Sequence, residues 1–191
     1  MNEKEERSLS QDEPNCCCNG KENSSPNLPN VHYLHGLFSD DFIQACRDDM
    51  LNILGSTSSN NMYAERFFTR SADLAADLLR HLPPELNIRH VLSDMKYISY
   101  PAGGYIAPHV DGIRTDEETG IPSTTSFLLY LEDIPEGEGG ETEFLRSIDD
   151  DEVLLQIVPR AGSILIFPHT TPHRGAGVGL YPKVLLRGDM Y

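Results

Sequence analysis

Hydrophobic positions repeat at helical spacing in two early segments of the chain. After Ser39, apolar residues recur at positions 43, 46, 50 and 54, and after Ser71 they recur at 74, 78, 79 and 82. Residues three or four apart lie on one face of an α-helix, and serine is a favourable N-cap. The pattern therefore predicts amphipathic helices at 39–54 and 71–82, the second of which ends at Pro83 and Pro84.

From Leu92 onward the pattern changes to short apolar or alternating runs, which clusters of glycine and proline separate. Such runs are typical of strands. They lie at 93–100, 105–110, 124–132, 141–145, 153–158, 163–167 and 182–190. Two helices followed by seven or eight strands, without βαβ alternation, predict a mainly β fold with supporting helices. We expect a double-stranded β-helix of the jelly-roll or cupin-like type, backed by the N-terminal helices.

The first 29 residues are rich in Glu, Asn, Ser and Pro and contain almost no large apolar residue, which predicts a disordered polar tail. We expect residues 30–191 to form one domain, with helical support at 39–84 and a jelly-roll core at 92–191. Cys16, Cys17 and Cys18 are adjacent in the tail, unlike the spaced cysteines of a disulfide framework. Lipidation or metal binding is the alternative, but the simpler interpretation is a reduced tail in a reducing compartment.

The formal net charge of −15 argues against nucleic acid and anionic membranes as partners, because both attract basic surfaces. There is no apolar run of the roughly 18 residues that a membrane-spanning helix needs. The N-terminus also lacks the apolar stretch of a secretory signal. We therefore expect a cytoplasmic protein whose partner is a peptide or small-molecule substrate, while the pattern indicates no oligomeric state.

Candidate chemistry is concentrated in three residues. His109 and Asp111 are two apart after a strand-like run, so their side chains point the same way. A second histidine, His173, follows a later strand. Two imidazoles and one carboxylate leave half of an octahedral metal open, as in non-heme Fe(II) oxygenases. His169 is an alternative distal ligand, although the Arg-Gly after His173 and its spacing to Lys183 favour His173.

Seven segments, taken in order, resemble the Fe(II)/2-oxoglutarate dioxygenases, and most closely the catalytic domain of the prolyl 4-hydroxylase type. They lie at 100–103, 109–111, 127–133, 139–144, 158–163, 173–175 and 183–191. The resemblance implies a double-stranded β-helix in which His109, Asp111 and His173 bind Fe(II). It also implies 2-oxoglutarate as cosubstrate, O2 as oxidant, and ascorbate as the reductant that keeps the iron reduced.

The same resemblance assigns residues to the cosubstrate. Lys183 would bind the distal carboxylate of 2-oxoglutarate, and Tyr100, Tyr130 and Thr142 would line that pocket. An equal alternative for the tyrosines is a place in the core with the hydroxyl bonded to the backbone. Arg187 lies on the same strand face as Lys183 and could contact substrate, pair with an acidic neighbour such as Asp189, or replace Lys183 as anchor.

The activity that the resemblance implies is hydroxylation of an aliphatic carbon, either a peptidyl proline or a small molecule, with release of succinate and CO2. The Asp111 carboxylate occupies the place that halogenating relatives leave to chloride, so hydroxylation is favoured. Two positions depart from the family pattern: Ile106 stands where many relatives have Tyr, and Arg174 where Glu is frequent. Alternatives are a cupin-like metalloenzyme without 2-oxoglutarate, which would not need Lys183, and a non-catalytic module that binds metal or 2-oxoglutarate.

Overall fold

The computed structural model describes residues 28–53 and 61–191, which form two α-helices and ten strands. The helices are α1 (Asp40–Ile53) and α2 (Ala72–His81), with a short 3-10 helix at Pro84–Leu86. The strands are β1 (His32–Leu34), β2 (Glu65–Arg70), β3 (Asp94–Tyr100), β4 (Ile106–His109), β5 (Thr125–Tyr130), β6 (Thr142–Leu145), β7 (Val153–Ile157), β8 (Ile164–Pro168), β9 (His173–Gly175) and β10 (Lys183–Met190). Residues 1–27 of the predicted 1–29 tail, which include the three adjacent cysteines, lie outside the described residues. The apolar position 54 also lies outside them, in the range 54–60.

Both predicted helix N-caps are present. The amide of Phe42 donates to Ser39 Oγ at 3.2 Å, and the amide of Leu74 donates to Ser71 Oγ at 3.1 Å. Each bond satisfies one of the backbone amides that the first turn of a helix leaves without a partner. α2 ends at His81, two residues before the first proline of the predicted stop. No helix in the described ranges is long and apolar enough to cross a membrane.

The Ser71 cap gives a first testable prediction. Ser71→Ala is expected to lower the free energy of unfolding by about 1 kcal/mol, because the capped amide of Leu74 loses its acceptor. Urea unfolding followed by circular dichroism measures the difference. Ser147→Ala, in a turn where the structure gives the serine hydroxyl no hydrogen bond, is the matched control. Equal midpoints for the two variants would contradict the prediction.

Two antiparallel sheets face each other in the described part of the chain. The larger has the order β1-β8-β5-β10-β3-β2 and the smaller has the order β4-β9-β6-β7. From β3 to β10 the chain passes back and forth between the sheets, except at β6 and β7, which are neighbours in the smaller sheet. This arrangement is that of a double-stranded β-helix and confirms the predicted fold class. Strands β1, β2 and β9 were not predicted. Two of them have only three residues, and β2 reads Glu-Arg-Phe-Phe-Thr-Arg, without the alternation that marks a half-buried strand.

Side-chain alternation on the larger sheet divides the core into two clusters. On β3, Met95 and Tyr97 point to the cluster that also contains Ile43 and Leu78 of the helices. Ile98 and Tyr100 point the opposite way, into the cluster between the two sheets. The helices therefore cover one face of the larger sheet, and the smaller sheet covers the other. The functional side chains described below lie in the space between the sheets.

Candidate functional site

The smaller sheet brings the predicted triad together. His109 is the last residue of β4, and the antiparallel pairing of β4 with β9 places it directly opposite His173. The two imidazole centroids are 4.2 Å apart. Asp111 follows β4 by two residues, and one ligand atom from each of the three side chains lies within 4.8 Å of the others.

The donor atoms of this triad fit a divalent metal ion. Nδ1 of His109 lies 2.8 Å from the carbonyl of Ala107, and Nδ1 of His173 lies 2.9 Å from that of Thr171. A ring nitrogen facing a carbonyl carries the proton, so each Nε2 keeps its lone pair for a metal. These Nε2 atoms lie 3.8 and 3.9 Å from the Asp111 oxygens. Each distance runs to a different oxygen of the carboxylate, and each is short enough for two ligands that share one ion at bonds of ~2.1 Å.

The protonation states of the triad also suit a metal. Burial lowers the pKa of His173 to about 4, and the neighbouring His109 acts in the same direction. Burial alone would raise the pKa of Asp111, but the Arg187 guanidinium and the hydrogen bond from Ser126 hold it below its ordinary value. Metal ligands must be deprotonated. His173 is therefore neutral and Asp111 ionised near neutral pH, before any ion binds.

The structure distinguishes His173 from His169, the alternative distal ligand. His169 is buried, and both of its ring nitrogens lie 2.8 Å from serine hydroxyls, one of which belongs to Ser126. The Ser126 hydroxyl in turn donates to an oxygen of Asp111, and the Asp111 amide donates to the His169 carbonyl at 2.9 Å. His169 thus belongs to the hydrogen-bond network that supports Asp111, while His173 contributes its ring to the triad itself.

Arg187 contacts two carboxylates. Its Nη1 lies 3.1 Å from Asp189 Oδ2, and its Nη2 lies 3.0 Å from Asp189 Oδ1 and 3.2 Å from Asp111 Oδ1. Asp189 is fully buried, and burial raises its pKa while Arg187 opposes that effect. The ion pair with Asp189, one of the alternatives for Arg187, is therefore present, and the same guanidinium also holds one oxygen of Asp111.

The four residues assigned to the cosubstrate lie together between the sheets. Lys183 opens β10 and is paired with Tyr100 on β3. Its ammonium donates to Thr142 Oγ1 at 3.0 Å, and the same oxygen lies 2.8 Å from the hydroxyl of Tyr130. The ammonium is 5.8 Å from both tyrosine ring centroids. The Tyr130 hydroxyl therefore bonds to a side chain of this group and not to the backbone.

Lys183 is a buried cation with unused hydrogen-bonding capacity. Its side chain is only 3% exposed, and burial lowers its pKa to about 7, against the opposing effect of Glu141 and Glu143. An ammonium has three donors, and within the ranges 28–53 and 61–191 Lys183 donates one hydrogen bond and forms no ion pair. A buried cation is costly without a partner, so an anionic group fits this position.

The triad and Lys183 line one cavity of ≈ 200 Å³. Its wall also contains two basic residues that the sequence analysis did not single out, Lys96 on β3 and Arg66 on β2. The alternation of β3 was the available signal, because Lys96 lies an even number of residues from Tyr100 and hence on the same face. Arg174, at the position where relatives often have Glu, also lines the cavity and binds Glu143 through its Nε at 2.6 Å.

The part of the chain that carries the site is similar to a known protein family. Residues 95–187, which include the triad and Lys183, match the family described as the 2OG-Fe(II) oxygenase superfamily. Among curated proteins no match was found.

Solved structures with a similar fold are related at low identity. A prolyl-4-hydroxylase of Pseudomonas putida is 18% identical, with a TM-score of 0.63 over 84% of this chain and 91% of that chain. The viral collagen prolyl hydroxylase of Paramecium bursaria Chlorella virus 1, in complex with 2OG, is 18% identical, with a TM-score of 0.62 over 84% and 94%. HygX of Streptomyces hygroscopicus, with nickel, 2-oxoglutarate and hygromycin B bound, is 13% identical, with a TM-score of 0.58 over 84% and 82%. These similarities show the fold.

Proposed function

We propose that the chain is an Fe(II)- and 2-oxoglutarate-dependent dioxygenase that hydroxylates an aliphatic carbon, because residues 95–187 match the 2OG-Fe(II) oxygenase superfamily. The observation that carries the proposal is that a His–Asp–His cluster and a buried lysine with spare donors line one cavity. A cupin-like enzyme without 2-oxoglutarate would have no use for the cation at Lys183. A non-catalytic module would not require both features.

His109, Asp111 and His173 would hold the metal through three ligands on one side and leave the remaining positions open. When bound, iron together with 2-oxoglutarate and O2 supplies the oxidising chemistry: one oxygen atom enters succinate, the other becomes the substrate hydroxyl, and CO2 is released. The hydrogen bonds from the two Nδ1 atoms and from Ser126 fix the orientation of the ligands. The protein thus provides a preformed set of donors.

Lys183 would bind the far carboxylate of 2-oxoglutarate. A charge-assisted hydrogen bond is roughly twice as strong as a neutral one, and burial excludes the water that would compete for it. Thr142 Oγ1 accepts one hydrogen bond from the ammonium, which leaves two donors for the carboxylate. The ring centroids of Tyr100 and Tyr130 each lie 5.8 Å from the ammonium, and Tyr100 lines the cavity at this end.

The substrate would be a prolyl peptide or a small molecule. The neighbours support both classes, because two of them are prolyl hydroxylases and another holds hygromycin B. The ionised carboxylate of Asp111 favours hydroxylation, since a halogenating site needs that position free for chloride. We include ascorbate in the expected requirements for sustained turnover, as the reductant of iron.

Anaerobic titration of 2-oxoglutarate into Fe(II)-loaded protein tests the proposal. The expected result is a weak visible charge-transfer band that disappears when oxygen is admitted, with release of succinate. The same protein loaded with Zn(II) is the control, because a d10 ion gives no such band. Iron binding without a band would favour the cupin-like alternative, and absence of iron binding would favour a non-catalytic module.

A further inference from the structure

The cavity has a charge opposite to that of the chain. The net charge is −15, and yet five of the fifteen Lys and Arg residues line this one cavity, beside a single acidic residue, Asp111. The five are Arg66, Lys96, Arg174, Lys183 and Arg187. A cleft lined by one sign of charge raises the local concentration of ligands of the opposite sign.

Four of these cations already have an interaction or a role, and Arg66 is one of them. Arg174 pairs with Glu143, Arg187 pairs with Asp111 and Asp189, and the proposed function assigns Lys183 to the cosubstrate. Lys96 differs from them. Over the ranges that the structure describes, its ammonium has neither a hydrogen bond nor an ion pair.

Lys96 lies next to the triad and far from Lys183. In the pairing of β3 with β10, Lys96 lies opposite Arg187, whose guanidinium contacts Asp111. Lys183 lies opposite Tyr100, four residues further along β3, which corresponds to ~13 Å at 3.3 Å per residue. Arg66 adjoins from β2, where it is paired with Ile98. The cavity therefore has two cationic ends, and the Lys96 end is not the one that 2-oxoglutarate would occupy.

Keeping an unpaired ammonium in this place costs stability. Lys96 is half-buried, and burial lowers its pKa to about 8, with Arg187 acting in the same direction. Burying a charge without a partner is unfavourable, and such costs are characteristic of functional sites. An anion bound at this end would supply the missing partner.

We propose that Lys96, with Arg66 and Arg187 beside it, binds an anionic group of the substrate, so that the substrate is a molecule bearing a carboxylate or phosphate near the carbon to be hydroxylated. The inference rests on the proposed function. The cavity of ≈ 200 Å³ is smaller than the roughly 300–1,000 Å³ of ordinary ligand sites. Because Lys96 lies opposite Arg187, which contacts Asp111, an anionic group bound at Lys96 lies close to the triad and hence to the reacting carbon.

The test uses protein that is loaded with Mn(II) and saturated with 2-oxoglutarate in the absence of oxygen. For every variant, separate titrations first confirm that Mn(II) binds and that 2-oxoglutarate binds. Methyl-13C acetate and inorganic phosphate are the anionic probes, and methyl-13C acetamide is the neutral control. We expect Mn(II) to enhance the nuclear relaxation of at least one anion, and Lys96→Gln to weaken that anion's binding about tenfold, or ~1.4 kcal/mol. Lys96→Arg is expected to restore binding, and Arg80→Gln, on the exposed side of α2, is the charge-matched control. The anion that binds more tightly indicates whether the substrate carries a carboxylate or a phosphate.

Several results would overturn the inference. Equal relaxation of both anions in wild type and Lys96→Gln, or the absence of specific binding by either anion, would show that Lys96 does not select an anion. The melting temperature of Lys96→Gln should equal or exceed that of wild type, and a clear fall would assign Lys96 a structural role instead. If Mn(II) or 2-oxoglutarate fails to bind to the wild type, the proposed function fails, which is a different outcome from failure of the anion site.

Discussion

An Asp111→Ala variant is expected to lose metal binding and 2-oxoglutarate-dependent turnover together, while its fold is retained. Asp111 is the anionic member of the triad, and its oxygens lie 3.8 and 3.9 Å from the Nε2 atoms of His109 and His173. Loss of a residue that merely supports a metal ligand weakens affinity by roughly 10–100-fold, so loss of a ligand itself should exceed about a hundredfold.

The fold should survive because the substitution removes a desolvated carboxylate without leaving a cation unpaired. Arg187 keeps both of its contacts to Asp189. Calorimetric titration with Mn(II) measures the affinity, and circular dichroism checks the fold. Asp111→Asn keeps the shape and loses the charge, so it should show a smaller loss of affinity in the same direction. Asp149→Ala, in an exposed turn, is the control, and turnover like that of wild type in Asp111→Ala would refute the site.

Local sequence patterns predict those features of the site that depend on residues close together in the chain. The two-residue spacing predicted that His109 and Asp111 act together, although Asp111 lies past the end of β4 and not within a strand. The choice between His169 and His173 could not be made on the same grounds, because both follow β8 within a few residues. The decisive fact is tertiary: β9 pairs with β4, which sets His173 opposite His109 and leaves His169 beneath Asp111.

The remaining features of the site depend on contacts between distant segments. β1 and β2 form by pairing with β8 and β3, respectively. A strand of three residues, such as β1, is too short to show an alternating pattern in the sequence. A lysine in a strand ordinarily suggests a solvent-facing position. Lys96 is half-buried because the smaller sheet covers its face of the larger sheet. The residues next to Lys96 in the sequence do not predict this burial. The double contact of Arg187 with Asp111 and Asp189 likewise joins β10 to the segment after β4.

Lys183→Met is expected to raise the dissociation constant for 2-oxoglutarate by roughly two to four orders of magnitude, since breaking one partner of a buried ion pair costs ~3–5 kcal/mol. Methionine has a similar length and no charge, so it fills the space between Tyr100 and Tyr130 and the fold should be kept. Anaerobic titration of 2-oxoglutarate into the Mn(II)-loaded variant gives the constant. Metal affinity without 2-oxoglutarate should stay close to that of wild type, and Arg80→Gln should show no change in either quantity. An unchanged constant for 2-oxoglutarate would remove Lys183 from the cosubstrate site.

The same lysine should make 2-oxoglutarate binding depend on pH in a defined direction. Burial lowers the pKa of Lys183 to about 7 in the free protein, and a carboxylate at the ammonium would raise it again. Below that pKa the lysine is already charged and binding takes up no proton. Above it, binding must protonate the amine, so affinity should fall as pH rises, by up to about tenfold per pH unit. Calorimetry at pH 8 in buffers of different ionisation enthalpy measures the uptake directly. Wild type should take up close to one proton more than Lys183→Met, because methionine cannot titrate, and equal uptake in the two proteins would show that the cosubstrate carboxylate lies elsewhere.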